Sequence, residues 1–222
     1  MVEAGDSVIV FDLDDTLYAE HDYQTSGIKA VSEMMSGLYQ RDILSNLLAL
    51  RAQGEADLWS AACRILSVPE TLAETMLWTY RLHIPDIKIS DEVRSLLTRC
   101  EQRFSQVAIL TDGRAVSQRL KLKALNLEHI PCYISQEYAS TKPDEKRFQS
   151  IMNDFPAKRY IYVADNPNKD FIAPNALGWL TIGLILRDFH VHQYHLPDIA
   201  EAALPNHWID SLPCAAGLIG IG

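Results

Sequence analysis

Val8-Ile9-Val10-Phe11 is an unbroken apolar run that stops at Asp12. Continuous rather than alternating hydrophobicity marks a strand buried on both faces, the environment of a parallel sheet. Two further runs end the same way, Val107–Leu110 before Thr111 and Tyr160–Ala164 before Asp165. Cys132–Ile134 and Thr181–Ile185 read as additional strands, and His207–Ile209 as a short edge strand. Helical patterns lie between them. Asp91–Arg103 has Ser90 as its N-cap and turns Val93, Leu96 and Leu97 inward. Ala115–Leu125 places Val116, Leu120 and Leu125 on one side, and Asp144–Phe155 turns Phe148, Ile151 and Met152 inward. Strands alternating with helices predict an α/β fold, a Rossmann-like three-layer parallel sheet with right-handed crossovers. From about Tyr23 to Leu82 the rhythm breaks: four helical patterns follow one another without a strand. The expected organisation is therefore a core of residues 1–17 and 88–222, with an all-helical insert at 18–87.

Bulk properties narrow the functional classes. The 222 residues are 48% hydrophobic and 22% charged, enough for one sizeable core plus a smaller insert. A net charge of -9 argues against nucleic acid as a partner, because such binding is driven by phosphate neutralisation. Cys63, Cys100, Cys132 and Cys214 form no C-x-x-C pair and read as free thiols of a reducing compartment. The N-terminus shows no basic and apolar signal pattern, and no apolar run approaches the roughly 20 residues of a membrane span. A cytoplasmic protein without a membrane partner is expected, as monomer or homodimer. The apolar tail from Ala215 to Gly222 is expected to pack on the domain or fray.

Four short segments carry the chemistry: Asp12-Leu13-Asp14-Asp15-Thr16, Thr111-Asp112-Gly113, Lys142-Pro143, and Asp165-Asn166-Pro167-Asn168-Lys169-Asp170. Ligands of open α/β sheets bind beyond the carboxyl ends of the strands, where Asp12, Thr111 and Asp165 stand. Asp12 can attack phosphorus and form an aspartyl-phosphate. Asp14 can protonate a leaving alkoxide and then activate water. Thr111 with the Asp112-Gly113 turn can hold phosphate oxygens, since glycine admits a close backbone approach at a helix start. Lys142 can neutralise charge on the transferred group. Asp12, Asp165 and the backbone carbonyl of Asp14 suit Mg2+, which takes few carboxylates and completes its shell with water and phosphate. Asp170, Thr16 and Asn166 stand behind these groups and hold them in place. Each segment alone has a plainer reading, as loop, cap or solvated surface lysine. His190, His192 and His195 could ligate a transition metal, but a solvent-exposed loop is the preferred reading.

In this order and spacing the four segments resemble the haloacid dehalogenase superfamily, and within it the phosphatase branch with a helical cap of the first type. The resemblance runs from about Ser7 to Ile209. It implies Asp12 as nucleophile, Asp14 as general acid/base, Thr111 as phosphate ligand, Lys142 as charge stabiliser and Asp165 as a magnesium ligand. Asp170 matches the last acidic position of the fourth motif. Two positions depart from the family pattern: Asp112 stands where Asn is frequent, and Ala164 where Gly usually precedes the fourth-motif Asp. Dehalogenases of the superfamily lack the second carboxylate, so Asp14 argues for phosphoester chemistry. The insert then resembles a mobile cap that excludes water and selects substrate, with Tyr18, His21, Tyr23, Arg81 and His83 near its mouth and Trp59 and Trp78 in its core.

The expected activity is Mg2+-dependent hydrolysis of a small phosphorylated metabolite, a sugar phosphate before a nucleoside monophosphate. A phosphotransferase or phosphomutase would use the same nucleophile. A binding module that keeps the fold without turnover is the reading from another class.

Overall fold

The structure, a computed structural model, describes residues 6–185 and 194–221. Strand β1 (Ser7–Phe11) opens the chain and is buried at every position. Four helices follow: α1 (Glu20–Tyr39), α2 (Leu44–Ala52), α3 (Leu58–Leu66) and α4 (Leu72–Leu82). Then come α5 (Asp91–Arg103), β2 (Gln106–Thr111), α6 (Ala115–Ala124), β3 (Cys132–Ile134), α7 (Ser135–Tyr138), α8 (Lys146–Asp154) and β4 (Arg159–Ala164). The chain finishes with α9 (Ile172–Ala176), β5 (Leu180–Leu184), β6 (His207–Ile209) and α10 (Ala215–Ile219).

The strands form one sheet in the order β3-β2-β1-β4-β5-β6, parallel throughout. The chain first builds outward from β1 through β2 to β3, then returns to lay β4 on the other side of β1. That reversal opens a crevice at the carboxyl ends of β1 and β4, where this class of sheet binds ligands. The register brings Phe11 beside Val163 and Ile109, so the residues that follow each strand emerge together.

Apolar side chains alternate between the two faces of the sheet. Ile9, Phe11, Ile109, Ile161 and Val163 pack on one side with α5 and with Ile219 and Ile221 of the C-terminal tail. Val8, Val10, Leu110, Tyr162 and Phe148 pack on the other. Helices α1–α4 enclose a third cluster of their own, including Ile28, Val31, Met35, Leu47 and Met76. Gly27 permits the close approach of α1 to α4, since a Cβ there would run into the Tyr80 ring.

Helix α6 departs from its expected face. Its buried side is Gln118, Lys121 and Leu122, continued by Leu125, while Val116 is exposed. The cause is electrostatic: an acidic partner beneath the helix draws two polar side chains inward, against the apolar stripe. Trp78, expected in the core of the insert, is 41% exposed and carries the Arg81 guanidinium over its ring. Trp59 packs against Tyr80, as a core residue of the insert should. Among the described residues no helix is long and apolar enough to cross a membrane.

Candidate active site

Asp12 begins the loop after β1 and remains in the sheet's hydrogen-bond pattern, its N–H donating to the Val163 carbonyl (2.9 Å). That tether places its carboxylate beside the end of β4. Its Oδ1 accepts from the Leu13 N–H (2.8 Å) and its Oδ2 meets Lys142 Nζ (2.8 Å). Lys142 has no exposed side-chain surface, and its ammonium also meets Asp170 Oδ1 (2.6 Å) and donates to the Tyr162 hydroxyl (3.1 Å). Burial works against its charge, but Asp12 and Asp170 outweigh that and hold it protonated well above the ordinary lysine range. Asp170 is fixed in turn by the Asn166 N–H, which donates to Oδ2 (2.8 Å). Thr16 donates to Asp165 Oδ1 (3.2 Å) across the crevice. Asp112 accepts weakly from the Lys142 N–H (3.3 Å). The four sequence segments therefore meet at one place.

Three carboxylates dominate the floor. Single oxygens of Asp12, Asp165 and Asp170 lie within 4.8 Å of one another, and all three residues are buried. Burial, opposed by Lys142, pushes the Asp12 carboxyl up to about 6. Burial, then the charges of Asp170 and Asp12, pushes Asp165 well above the usual carboxylate range. One buried ammonium does not balance three buried carboxylates, so the floor has the charge and donor set of a hard divalent cation site.

Above the floor is a cavity of about 70 Å³, lined by Asp12, Asp14, Thr111 and Asp165 and closed by Glu20 and Lys169. The Thr111 hydroxyl is buried and has no hydrogen-bond partner among the described residues. A buried hydroxyl without a partner is costly, and an oxygen of a bound anion would satisfy it. The Gly113 N–H instead donates to Ser135 Oγ (2.9 Å). Glycine suits position 113 because its backbone has φ 153°, which L side chains rarely adopt, and a Cβ there would also displace the Gln118 amide, 2.5 Å away.

Asp14 is held more tightly than any sequence pattern announces. Asp15, at φ 53°, turns the chain back, and its Oδ1 accepts the N–H of Glu20 at the start of α1 (2.8 Å). Asp14 Oδ1 then accepts from the Tyr18 hydroxyl (2.5 Å) and Lys121 Nζ (2.7 Å), and Oδ2 from Gln118 Nε2 (2.9 Å). Burial raises the Asp14 carboxyl, but Lys121, Tyr18 and Gln118 overcome it and hold the group below its ordinary range. Burial, then the charge of Asp14, lifts Glu20 to about 7.

Asp112 is balanced by Arg147 of α8, which pairs with Asp112 Oδ1 and donates from Nη1 to the carbonyls of Thr111 (2.8 Å) and Tyr133 (3.2 Å). The Arg147 side chain has no exposed surface. Removing one partner of a buried pair leaves the other uncompensated. Arg147→Leu is therefore expected to cost about 3–5 kcal/mol of stability. Adding Asp112→Asn to that variant should recover most of the loss, and equilibrium urea unfolding of the single and double variants measures both steps. A double variant no more stable than Arg147→Leu would reject the charge-compensation account.

Other anticipated residues lie away from the cavity. His21 is exposed, and His83 is buried against Ser26 Oγ (3.1 Å) and the Tyr80 carbonyl (2.6 Å). His190 and His192 lie outside the described residues, and His195 is an exposed partner of Asp198 (3.2 Å). Sequence reasoning passed over Gln118, Lys121, Arg147, Glu20 and Lys169. The available signal was positional: Gln118 and Lys121 are three apart on the helix that opens directly after the Thr111 turn.

Fold and site together place a buried carboxylate, Asp12, at the switch point of a parallel α/β sheet. The profile of the haloacid dehalogenase-like hydrolases matches residues 9–184, and the chain belongs to that family. No curated protein matches the sequence. Solved structures share the fold at low identity. The magnesium-bound HAD hydrolase YfnB from Bacillus subtilis is 16% identical, with a TM-score of 0.66 over 98% of this chain and 100% of its own. The 2-haloacid dehalogenase from Pseudomonas syringae pv. Tomato DC3000 is 16% identical, with a TM-score of 0.61 over 96% of this chain and 97% of its own. The HAD phosphatase from Thermococcus onnurineus is 16% identical, with a TM-score of 0.60 over 96% of this chain and 98% of its own.

Proposed function

We propose that the chain is a Mg2+-dependent phosphatase of small phosphorylated metabolites, working through an aspartyl-phosphate on Asp12. The observation that carries this reading is the second carboxylate, Asp14, held by three donors at the rim of the nucleophile's cavity. Displacement of halide from carbon leaves a stable anion and needs no proton donor, whereas an alkoxide leaving phosphorus does. Asp12 Oδ attacks phosphorus as the P–O bond to the leaving group breaks, and Asp14 gives the alkoxide a proton. Although Asp14 is ionised in the free enzyme, a bound anionic phosphate favours its protonated form, because like charges raise a carboxyl pKa. Asp14 then takes a proton from water, which attacks the aspartyl-phosphate and releases phosphate and Asp12. Lys142 stabilises Asp12 throughout, and Thr111 Oγ donates to a phosphate oxygen. Mg2+, held by Asp12, Asp165 and the Asp14 carbonyl with Asp170 behind them, would offset repulsion between nucleophile and ester.

Sugar phosphates stand ahead of nucleoside monophosphates as substrates, a preference that rests on the resemblance to the phosphatase branch. The deciding experiment is a panel of sugar phosphates, nucleotides and 2-haloacids assayed for phosphate and halide release, with Mg2+ and with chelator. Mg2+-dependent phosphate release supports the reading. Halide release without phosphate release rejects it in favour of carbon–halogen chemistry.

The acidic floor also sets a pH dependence for the metal-free protein. Asp12 at about 6, Glu20 at about 7 and Asp165 are all raised above their unfolded values near 4. The contribution of Asp12 and Glu20 to stability is fully present below pH 4 and is lost as pH rises through about 6 to 7, and the raised Asp165 acts in the same direction. His83, lowered by burial, acts oppositely below about 6.5, but as one group against three. Calorimetry in chelator should therefore show a higher Tm at pH 6 than at pH 8, and Mg2+ should raise Tm more at pH 8. A flat profile would contradict the charge assignment of the floor.

A further inference from the structure

Lysine is normally a solvated residue, yet the Lys121 side chain is 4% exposed and its ammonium reaches the carboxylate of Asp14. The face of Tyr23, on the first turn of α1, covers the same ammonium with its ring centroid 4.1 Å away. One turn earlier on α6, the Gln118 amide takes the other Asp14 oxygen and also donates to the Asp112 carbonyl (2.8 Å). A buried ion pair rarely stabilises a fold better than apolar side chains of equal volume would. What this pair supplies is orientation. A carboxylate offers about four acceptor positions. Among the described residues Lys121 and Tyr18 take two on Oδ1 and Gln118 takes one on Oδ2, which leaves one Oδ2 position over, and Asp14 itself lines the cavity.

We infer that Lys121, assisted by Gln118, is a positioning residue that aims the Asp14 carboxyl at the leaving-group oxygen and, later, at the attacking water. The inference rests on the phosphatase reading above. Lys121 is not among the residues that line the cavity and reaches it through Asp14. The loss on its removal must therefore follow the substrate's need for a proton. Alkyl phosphates need one, whereas nitrophenolate leaves without it.

The test compares wild type, Lys121→Met, Lys121→Arg, Asp14→Asn and the double variant Lys121→Met/Asp14→Asn. Each is assayed on an alkyl sugar phosphate in steady state and on p-nitrophenyl phosphate by its pre-steady-state burst. Lys121→Met should lower kcat on the alkyl ester about 100-fold, the scale of a general acid's contribution, with KM changed by less than about threefold. The nitrophenolate burst rate should fall by no more than about threefold, because that step needs no proton. Lys121→Arg should recover most of the loss, and the double variant should be no slower than Asp14→Asn. Equal losses on both substrates, or additive losses in the double variant, would overturn the assignment. If Lys121→Met does not fold, Gln118→Met carries the same substrate comparison. A wild-type chain that hydrolyses no phosphate ester would overturn the phosphatase reading and this assignment with it. Wild-type hydrolysis without the substrate split would overturn this assignment alone.

Discussion

Asp12→Asn should lower phosphate release by about ten-thousand-fold or more, because an amide cannot replace a carboxylate as nucleophile. The fold should survive. Lys142 keeps its 2.6 Å contact with Asp170 and its bond to Tyr162, so the substitution leaves no buried ammonium unpaired. Stability should rise. Burial lifts the Asp12 carboxyl to about 6, so above that pH its ionisation costs the folded state, and the neutral amide removes the cost. The gain is on the order of 1–3 kcal/mol at pH 8, taking 1.36 kcal/mol per pKa unit and allowing for the coupling to Lys142. Steady-state assay and thermal unfolding of one protein sample read both effects. Collapse of activity with a raised Tm is the signature of a strained nucleophile. Near-normal turnover would remove Asp12 from the mechanism.

The parts legible in sequence were those made by continuous patterns. The buried strands announce themselves as apolar runs, and each run ends at the crevice, at Asp12, Thr111 and Asp165. The helical insert was visible because four helical patterns occur without a strand between them. The supporting charges were not visible, and the reason is physical. Lys121 and Arg147 are isolated cations in helices, and an isolated cation in a helix is ordinarily solvated. Only the folded chain shows that α6 lies over Asp14 and α8 under Asp112. The same ignorance of partners put Val116 on the buried face of α6, where Gln118 and Lys121 lie instead. Asp112 shows the point from the other side. Read alone, it adds negative charge beside a phosphate site. In the structure Arg147 absorbs that charge, and Lys169 Nζ stands 3.9 Å from its other oxygen.

Asp165→Ala should abolish the response to Mg2+ and lower turnover about a thousandfold, since offsetting charge at a phosphoryl site is worth several kcal/mol. The reasoning starts from the imbalance on the floor. With Asp12, Asp165 and Asp170 mutually close, the metal-free site disfavours full ionisation, and Asp165 is raised most by burial and by the other two. A divalent cation reverses this preference, so its binding should raise Tm by mass action. Removing Asp165 takes away one ligand and part of the repulsion together. The metal-free variant should therefore be as stable as wild type or more so, less the bond that Thr16 donates to Asp165. Added Mg2+ should no longer move its Tm. Chelation of wild type should reproduce the activity loss, and Mg2+ should restore it in wild type but not in the variant. The Tm response does not depend on turnover, so it tests the site even on a poor substrate. A variant that keeps a wild-type Mg2+ shift would place the metal elsewhere and leave the Asp12 chemistry standing without it.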